Sequence, residues 1–216
     1  MKSTAYIAAV LLISGSAVSA QSFNDTYGFV FGGASFEGQS EFDGTFGGSA
    51  QSVDTDYDTG FNLGVGVGAS IAPSIRAEVE LSYFETDAET IFFSGNGPNA
   101  EINVGGGLRA TTLFANVFYD FVTGGSVTPY LGAGLGAAFV EQDLVYGPGV
   151  TVSDDDTVFA MQFIAGAAYD VTDSVALTAD VRYRRLYDIE SNRFNPAGVS
   201  TGVITGDFDD FSVKVG

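Results

Sequence analysis

The chain contains neither cysteine nor histidine. Without cysteine no disulfide can brace the fold, so stability has to come from the backbone network itself. Without histidine no imidazole base can activate a serine or orient an attacking water, which removes the usual routes to hydrolysis. Basic residues are scarce: 8 Lys and Arg stand against 27 Asp and Glu, for a formal net charge of −19. A phosphate backbone would be repelled, so nucleic acid is not an expected partner. Past the leader, no apolar run approaches the ~18 residues of a membrane helix. Yet charged residues make up only 16% of the chain and hydrophobic ones 45%, with 29 glycines, where a soluble domain carries about 25% charged residues. That combination leaves a glycine-rich soluble β-protein or a barrel whose outer surface faces lipid.

The first residues set the compartment. Lys2 supplies a positive start, residues 5–13 (AYIAAVLLI) an apolar run, and Val18-Ser19-Ala20 a small-residue site ahead of Gln21. The run falls short of the ~20 residues of a spanning helix, so residues 1–20 are expected to be a cleavable signal peptide. The domain organisation expected is that leader followed by a single barrel over residues 21–216.

What is there in quantity is alternation with a period of two. In residues 74–85 one face reads Ile75, Ala77, Val79, Leu81, Tyr83 and the other Arg76, Glu78, Glu80, Ser82. In residues 175–187 the apolar face is Val175, Leu177, Ala179, Val181, Tyr183, and the opposite face carries Thr178, Asp180, Arg182, Arg184. Weaker versions recur at 61–71, 113–121, 129–139 and 159–169, with a first strand at 27–36 and a last at 208–215. The reading is eight strands, each near the 9–11 residues that cross a bilayer at a tilt.

The connections alternate in length. Segments 37–58, 86–106, 142–156 and 188–207 are long and polar, while the links around 72–74, 122–127 and 171–174 are tight. A soluble sandwich has no reason for that rhythm; a membrane barrel has tight periplasmic turns and long external loops. Aromatic residues collect at both ends of the strands: Tyr27, Tyr119, Phe121, Tyr130 and Tyr169 near the tight turns, Phe61, Tyr83, Phe139, Phe159 and Tyr187 near the long connections. Two such girdles are expected at the two membrane interfaces. The fold class expected is all-β: a single eight-stranded antiparallel up-and-down transmembrane β-barrel with long external loops and short periplasmic turns.

Residues 113–121 (LFANVFYDF), 127–136 (VTPYLGAGLG) and 163–170 (FIAGAAYD), followed by 174–177 (SVAL), carry a resemblance to known proteins. They resemble the OmpA-like eight-stranded barrels, and more closely the opacity-type surface-antigen branch known as the porin family, outer membrane beta-barrel domain. The resemblance implies an outer-membrane location and contact with outer-membrane lipid and lipopolysaccharide. It also implies handling by the outer-membrane assembly machinery and host or surface ligands met through the loops. Barrels of that kind usually end on an aromatic residue. This chain stops at Phe211-Ser212-Val213-Lys214-Val215-Gly216, which reads as a last strand cut a few residues short, the alternative being a strand without that signal.

With the apolar faces outward, the lumen gathers Arg76, Glu78, Glu80, Asp180, Arg182, Arg184 and Lys214, with Asn62, Asn116 and Gln162. An eight-stranded barrel is just wide enough for side chains to fill it, and unpaired buried charges are prohibitively costly. The expectation is an interior ion-pair network that holds the barrel shut; the alternative is a narrow porin-like channel for small solutes. Asp54-Thr55-Asp56-Tyr57-Asp58-Thr59-Gly60 has the carboxylate spacing of a calcium loop, but its glycine comes one residue late and Val65 stands where a bidentate Glu belongs. It reads as a solvated acidic segment, as does Asp154-Asp155-Asp156. Gly64-Val65-Gly66-Val67-Gly68 and Gly132-Ala133-Gly134-Leu135-Gly136 lie inside strands with no helix following, so they are not nucleotide loops; they are expected to leave lumen space for bulky charged neighbours. No catalytic group, metal or cofactor is expected. The functional reading is a non-enzymatic outer-membrane barrel, a structural protein or surface antigen.

Overall fold

A computed structural model describes residues 26–46, 49–95, 100–146 and 150–216 of the chain. The expected signal peptide lies outside the described residues. Among the described residues nine antiparallel strands follow one another: β1 (Thr26–Phe46), β2 (Ser49–Tyr57), β3 (Gly60–Ala72), β4 (Ile75–Gly95), β5 (Ala100–Asp120), β6 (Val127–Tyr146), β7 (Val150–Thr172), β8 (Val175–Phe194) and β9 (Ser200–Val215). From β3 to β9 each pairs with the next in up-and-down order, β2 and β3 both pair with β1 and with β4, and β1 pairs with β9 to close the sheet on itself. Among the described residues closure leaves no edge strand, the condition for a sheet to sit in lipid.

Nine strands make eight ring positions. β1 pairs with β2 along Gln39 to Phe46 and with β3 along Thr26 to Ser35; β4 does the same on the other side. β2 and β3 are therefore one staved position interrupted at Asp58-Thr59. The break is held by Asp58 N–H donating to the Asp87 carbonyl at 2.8 Å and the Thr86 hydroxyl donating to the Asp58 carbonyl at 2.7 Å.

The strands are about twice as long as the alternation in the sequence suggests. Most of what reads as long polar connection, 37–58, 86–106, 142–156 and 188–207, is strand. Part of the reason is phase. Register shifts fall between Phe36 and Gln39, Asp87 and Thr90, and Leu186 and Ile189. Through each, the inward-facing parity switches: Phe31 and Ser35 give way to Ser40 and Phe42, Phe84 to Ile91, Leu186 to Ile189 and Ser191. A bulge inserts one residue and so exchanges the two faces. Asp54, Asp56 and Asp154 to Asp156 belong to these strands, so none of them forms a calcium-type loop.

The turns use conventional chemistry. At the short-turn end, Gly124 has φ 73°, a left-handed conformation that glycine adopts without strain, and the Thr123 hydroxyl bonds the Val127 carbonyl at 2.6 Å. At the opposite, hairpin end, the Asn195 side chain accepts the N–H groups of Ala197 and Val199, each at 3.0 Å.

Candidate functional site: the filled lumen

The outer wall fixes what can lie inside. Along the short-turn half, Val67, Leu81, Val117, Leu131, Leu135, Phe163, Val181 and Val213 face outward and are exposed, Leu135 by 60%. Phe61, Phe139 and Phe159 ring this band at its upper edge and Tyr119, Phe121 and Tyr169 at its lower edge, all exposed. Tyr27 and Tyr130, expected in the lower girdle, instead point into the lumen. The Tyr27 hydroxyl donates to Glu78 at 2.6 Å and that of Tyr130 to Asp180 at 3.0 Å. Their inward turn has a steric cause: Gly68 and Gly166 leave room for these rings on the adjacent strands.

The same correction applies to the glycine runs. Phe31 occupies the space at Gly64, Phe29 at Gly66, Phe118 at Gly132 and Phe114 at Gly136; only Gly134 is filled by polar neighbours, Asn116 and Gln162. Aromatic rings, more than charged chains, take the space that glycine leaves, because a ring can lie flat along the wall of a narrow barrel.

Within the short-turn half the charged faces meet. Arg182, on β8, reaches across the lumen to Glu80 on β4 at 2.6 Å and holds Asp180 at 2.7 Å. Lys214, on β9, stands 3.5 Å from the other Glu80 oxygen and 4.2 Å from the centre of the Phe31 ring. Asn116 donates to Glu80 at 3.4 Å and accepts from Gln162 at 2.8 Å; Asn62 donates to Ser35 at 3.0 Å. Below, Arg76 pairs with Glu78 and Asp120, the latter at 3.0 Å, between the rings of Phe118 and Tyr130 at 4.1 and 4.6 Å. Above, Arg184 binds Asp210 at 2.7 Å and lies 3.6 Å over the Phe84 ring. Glu80, Lys214 and Arg184 are 0%, 1% and 2% exposed. A carboxylate or cation buried this deeply is tolerated because it is paired.

The seven charged residues named from the sequence thus fall into three connected groups: a mouth around Arg76 and Glu78, a middle around Glu80, Asp180, Arg182 and Lys214, and an upper pair at Arg184. The sequence reading omitted Asp210, Asp120, Tyr27 and Tyr130. Asp210 was legible, since it shares the even face of Ser212 and Lys214, but the run Asp207-Phe208-Asp209-Asp210 hides which carboxylate turns inward.

The hairpin half has the opposite interior. Phe42, Phe84, Leu108, Phe114, Val140, Leu144, Leu186, Ile189, Ile204 and Phe208 form a continuous apolar core inside the ring. Phe84 and Phe208 stack at 5.9 Å and Tyr57 meets Phe208 edge-on at 5.3 Å. One polar bar crosses this core: Ser40 to Tyr57 at 3.3 Å, Gln142 to Tyr57 at 3.2 Å and Ser191 to Gln142 at 2.7 Å. Burial pushes the Tyr57 phenol above its ordinary range, although both neighbours donate to it.

Outside this half the wall is acidic. Glu41, Asp43, Asp54, Asp56, Asp188 and Asp207 border a cleft of about 680 Å³ together with Arg185. Arg185 binds Asp207 at 2.6 Å and Asp209 at 3.3 Å. Partial burial raises the Asp207 carboxyl, but the Asp188 N–H and the Arg185 guanidinium outweigh it and hold the group below the usual carboxylate range.

Comparison with known proteins agrees with this architecture. The outer membrane protein PagN of Salmonella typhimurium is 31% identical over 134 residues, 57% of this chain and 55% of its own length. Matched stretches span 30% to 55% of the curated relatives they come from. Among solved structures, the outer membrane protein OprG of Pseudomonas aeruginosa is 11% identical with a TM-score of 0.53, covering 87% of this chain and 92% of its own. The outer membrane protease OmpT of Escherichia coli is 9% identical with a TM-score of 0.54, covering 86% and 95%. At those identities the likeness is one of fold. The family model described as outer membrane protein beta-barrel domain matches residues 7–216. With a closed antiparallel ring, an apolar lipid-facing band and two aromatic girdles, this chain belongs to the outer membrane protein beta-barrel domain family and resides in the bacterial outer membrane in contact with lipid.

Proposed function

We propose that this protein is a non-enzymatic surface barrel, closed to solutes, whose external hairpin end is its working surface. One observation carries this reading. Arg182 and Lys214 reach across the membrane-level lumen from β8 and β9 to the same carboxylate, Glu80 on β4, tying opposite walls together. A barrel of eight staves has little interior to spare, and here cross-lumen pairs bind its walls together at membrane level while an apolar core fills the hairpin half above them.

Catalysis is not part of the proposal. The chain has no histidine, and Glu78 and Glu80, the carboxylates two apart on β4, are both engaged by cations. The tight turns then face the periplasm and the long hairpins the exterior. Adhesion to host or other surfaces, lipopolysaccharide contact, delivery by the assembly machinery and export by residues 1–20 belong to the same proposal, on the strength of the family resemblance.

Reconstitution into planar bilayers tests it. Purified, refolded protein is expected to give no discrete conductance. Reproducible unit steps that change on Arg182→Ala or Glu80→Ala would overturn the closed reading in favour of a narrow channel. That second reading has a specific support: Lys214 Nζ, Glu80 Oε1, Arg184 Nη2 and Asp210 Oδ2 are buried without a hydrogen-bond partner.

A further inference from the structure

We propose that the barrel is sealed by the apolar core of its hairpin half, and that the charged layer below is a hydrated chamber rather than the seal. This rests on the closed-barrel reading and says where its barrier lies.

The buried polar atoms without a hydrogen-bond partner are distributed unevenly. Among the described residues, those inside the ring are Lys214 Nζ, Arg184 Nη2, Glu80 Oε1, Asp210 Oδ2 and Asn62 Oδ1, all in the short-turn half; the sixth, Arg185 Nε, lies on the outer wall at the acidic cleft. None of them belongs to the polar bar of Ser40, Tyr57, Gln142 and Ser191, whose members are linked in a row by hydrogen bonds. A lysine ammonium has three N–H donors, and Lys214 is offered one carboxylate oxygen at 3.5 Å and a ring face. Orphan donors and orphan acceptors side by side are satisfied together by water, which is both donor and acceptor and is commonly found bridging such groups. The membrane-level interior therefore has the chemistry to bind water, and through it to replace part of an ion's hydration.

Immediately above, that chemistry stops. The Arg184 guanidinium lies over the Phe84 ring, Phe84 stacks on Phe208, and Phe84, Phe208, Leu108, Leu186 and Ile189 make a layer that is 0–1% exposed. An ion entering this layer would lose water with nothing in exchange, and a hydrophobic constriction stops conduction by dewetting. The two layers lie in series along the lumen, so the dry one sets the barrier even where the charged one is perturbed.

The test compares the wild type with Glu80→Gln in the charged layer and with Phe84→Ser/Phe208→Ser in the apolar layer, all as the full refolded chain. Folding is verified by the heat-induced gel shift of intact barrels, and Leu108→Ser serves as the apolar-layer variant if the double variant does not fold. In planar bilayers the wild type and Glu80→Gln are expected to stay silent, and the apolar-layer variant to pass from no events to resolved unit steps. Steps from Glu80→Gln with the apolar layer intact, or silence from a folded apolar-layer variant, would overturn the proposal. Steps from the wild type would instead overturn the closed-barrel reading on which it stands. Water-edited solid-state NMR gives an independent readout: Arg182 and Lys214 side-chain signals should gain water magnetisation faster than those of Leu108 and Ile189. The reverse order contradicts a hydrated chamber.

Discussion

In the short-turn half, Leu135 and Phe163 face out while Arg182 and Glu80 face in; in the hairpin half, Glu141 and Asp143 face out while Leu108 and Ile189 face in. The backbone is the same closed sheet in both. The solvent outside it differs, and each half puts inward whatever that solvent rejects. Where the wall meets lipid, polar groups are driven inside and must pair; where it meets water, the inside becomes an ordinary hydrophobic core. A strand that crosses the boundary has to exchange its two faces. β1, β4 and β8 do so by slipping one residue at a bulge. β6 keeps its parity and changes residue type, from Gly132, Gly134 and Gly136 to Val140 and Leu144 on the inner face and from Leu131 and Leu135 to Glu141 and Asp143 on the outer.

The contrast can be broken most severely in the charged half. Glu80→Leu leaves Arg182 and Lys214 without their shared carboxylate, and the loss of stability is expected to be about 3–5 kcal/mol, read from urea unfolding midpoints in lipid. Pairing it with Lys214→Met should recover part of that loss, since one orphaned cation is removed; a second variant no better than the first would count against the pairing. In the hairpin half, Phe208→Ala removes the ring shared by Phe84 and Tyr57 and is expected to cost about 3 kcal/mol. The Arg182 side-chain NMR signals should not move, because the damage stays on its side of the boundary.

The outer wall sharpens the comparison further. Leu135→Arg places a cation at the lipid face and should cost about 2–4 kcal/mol, whereas Glu141→Arg, beyond the Phe139 girdle, should change unfolding by less than about 1 kcal/mol. Equal costs would mean the lipid boundary is misplaced. The smallest effect expected is one of pH. The folded Asp207 carboxyl sits below its ordinary value, so its contribution is present above about pH 4 and fades as pH falls through the lower, folded value. Asp207→Asn should flatten the unfolding midpoint between pH 4 and acid relative to wild type. Added salt should shrink the difference, because the group is only partly buried.

Much of the membrane half is legible in the sequence. Residues 74–85 and 175–187 alternate cleanly because one face must be apolar for lipid, and the charges left over can only be interior. The hairpin half is not legible in the same way. At 86–91 and 186–191 the period of two loses phase at a bulge, and among the described residues of 142–156 the acidic outer face leaves only Leu144 and Val152 as buried apolar signals. Tyr27 and Tyr130 were misplaced for a different reason: their position along the strand is that of a girdle residue, and only the glycine on the neighbouring strand, Gly68 or Gly166, reveals that the ring turns inward. A cross-strand relation of that kind requires the register, which no single segment contains.

The exchange of faces at the boundary is tested most directly by accessibility along β6. The chain has no cysteine, so single cysteines at Leu131, Leu135, Glu141 and Asp143 can carry spin labels in the reconstituted protein without background. Labels at 131 and 135 are predicted to relax faster with oxygen, which concentrates in lipid, and labels at 141 and 143 with a water-soluble nickel chelate. Oxygen preference persisting at 141 and 143, or nickel preference at 131 and 135, would contradict the account.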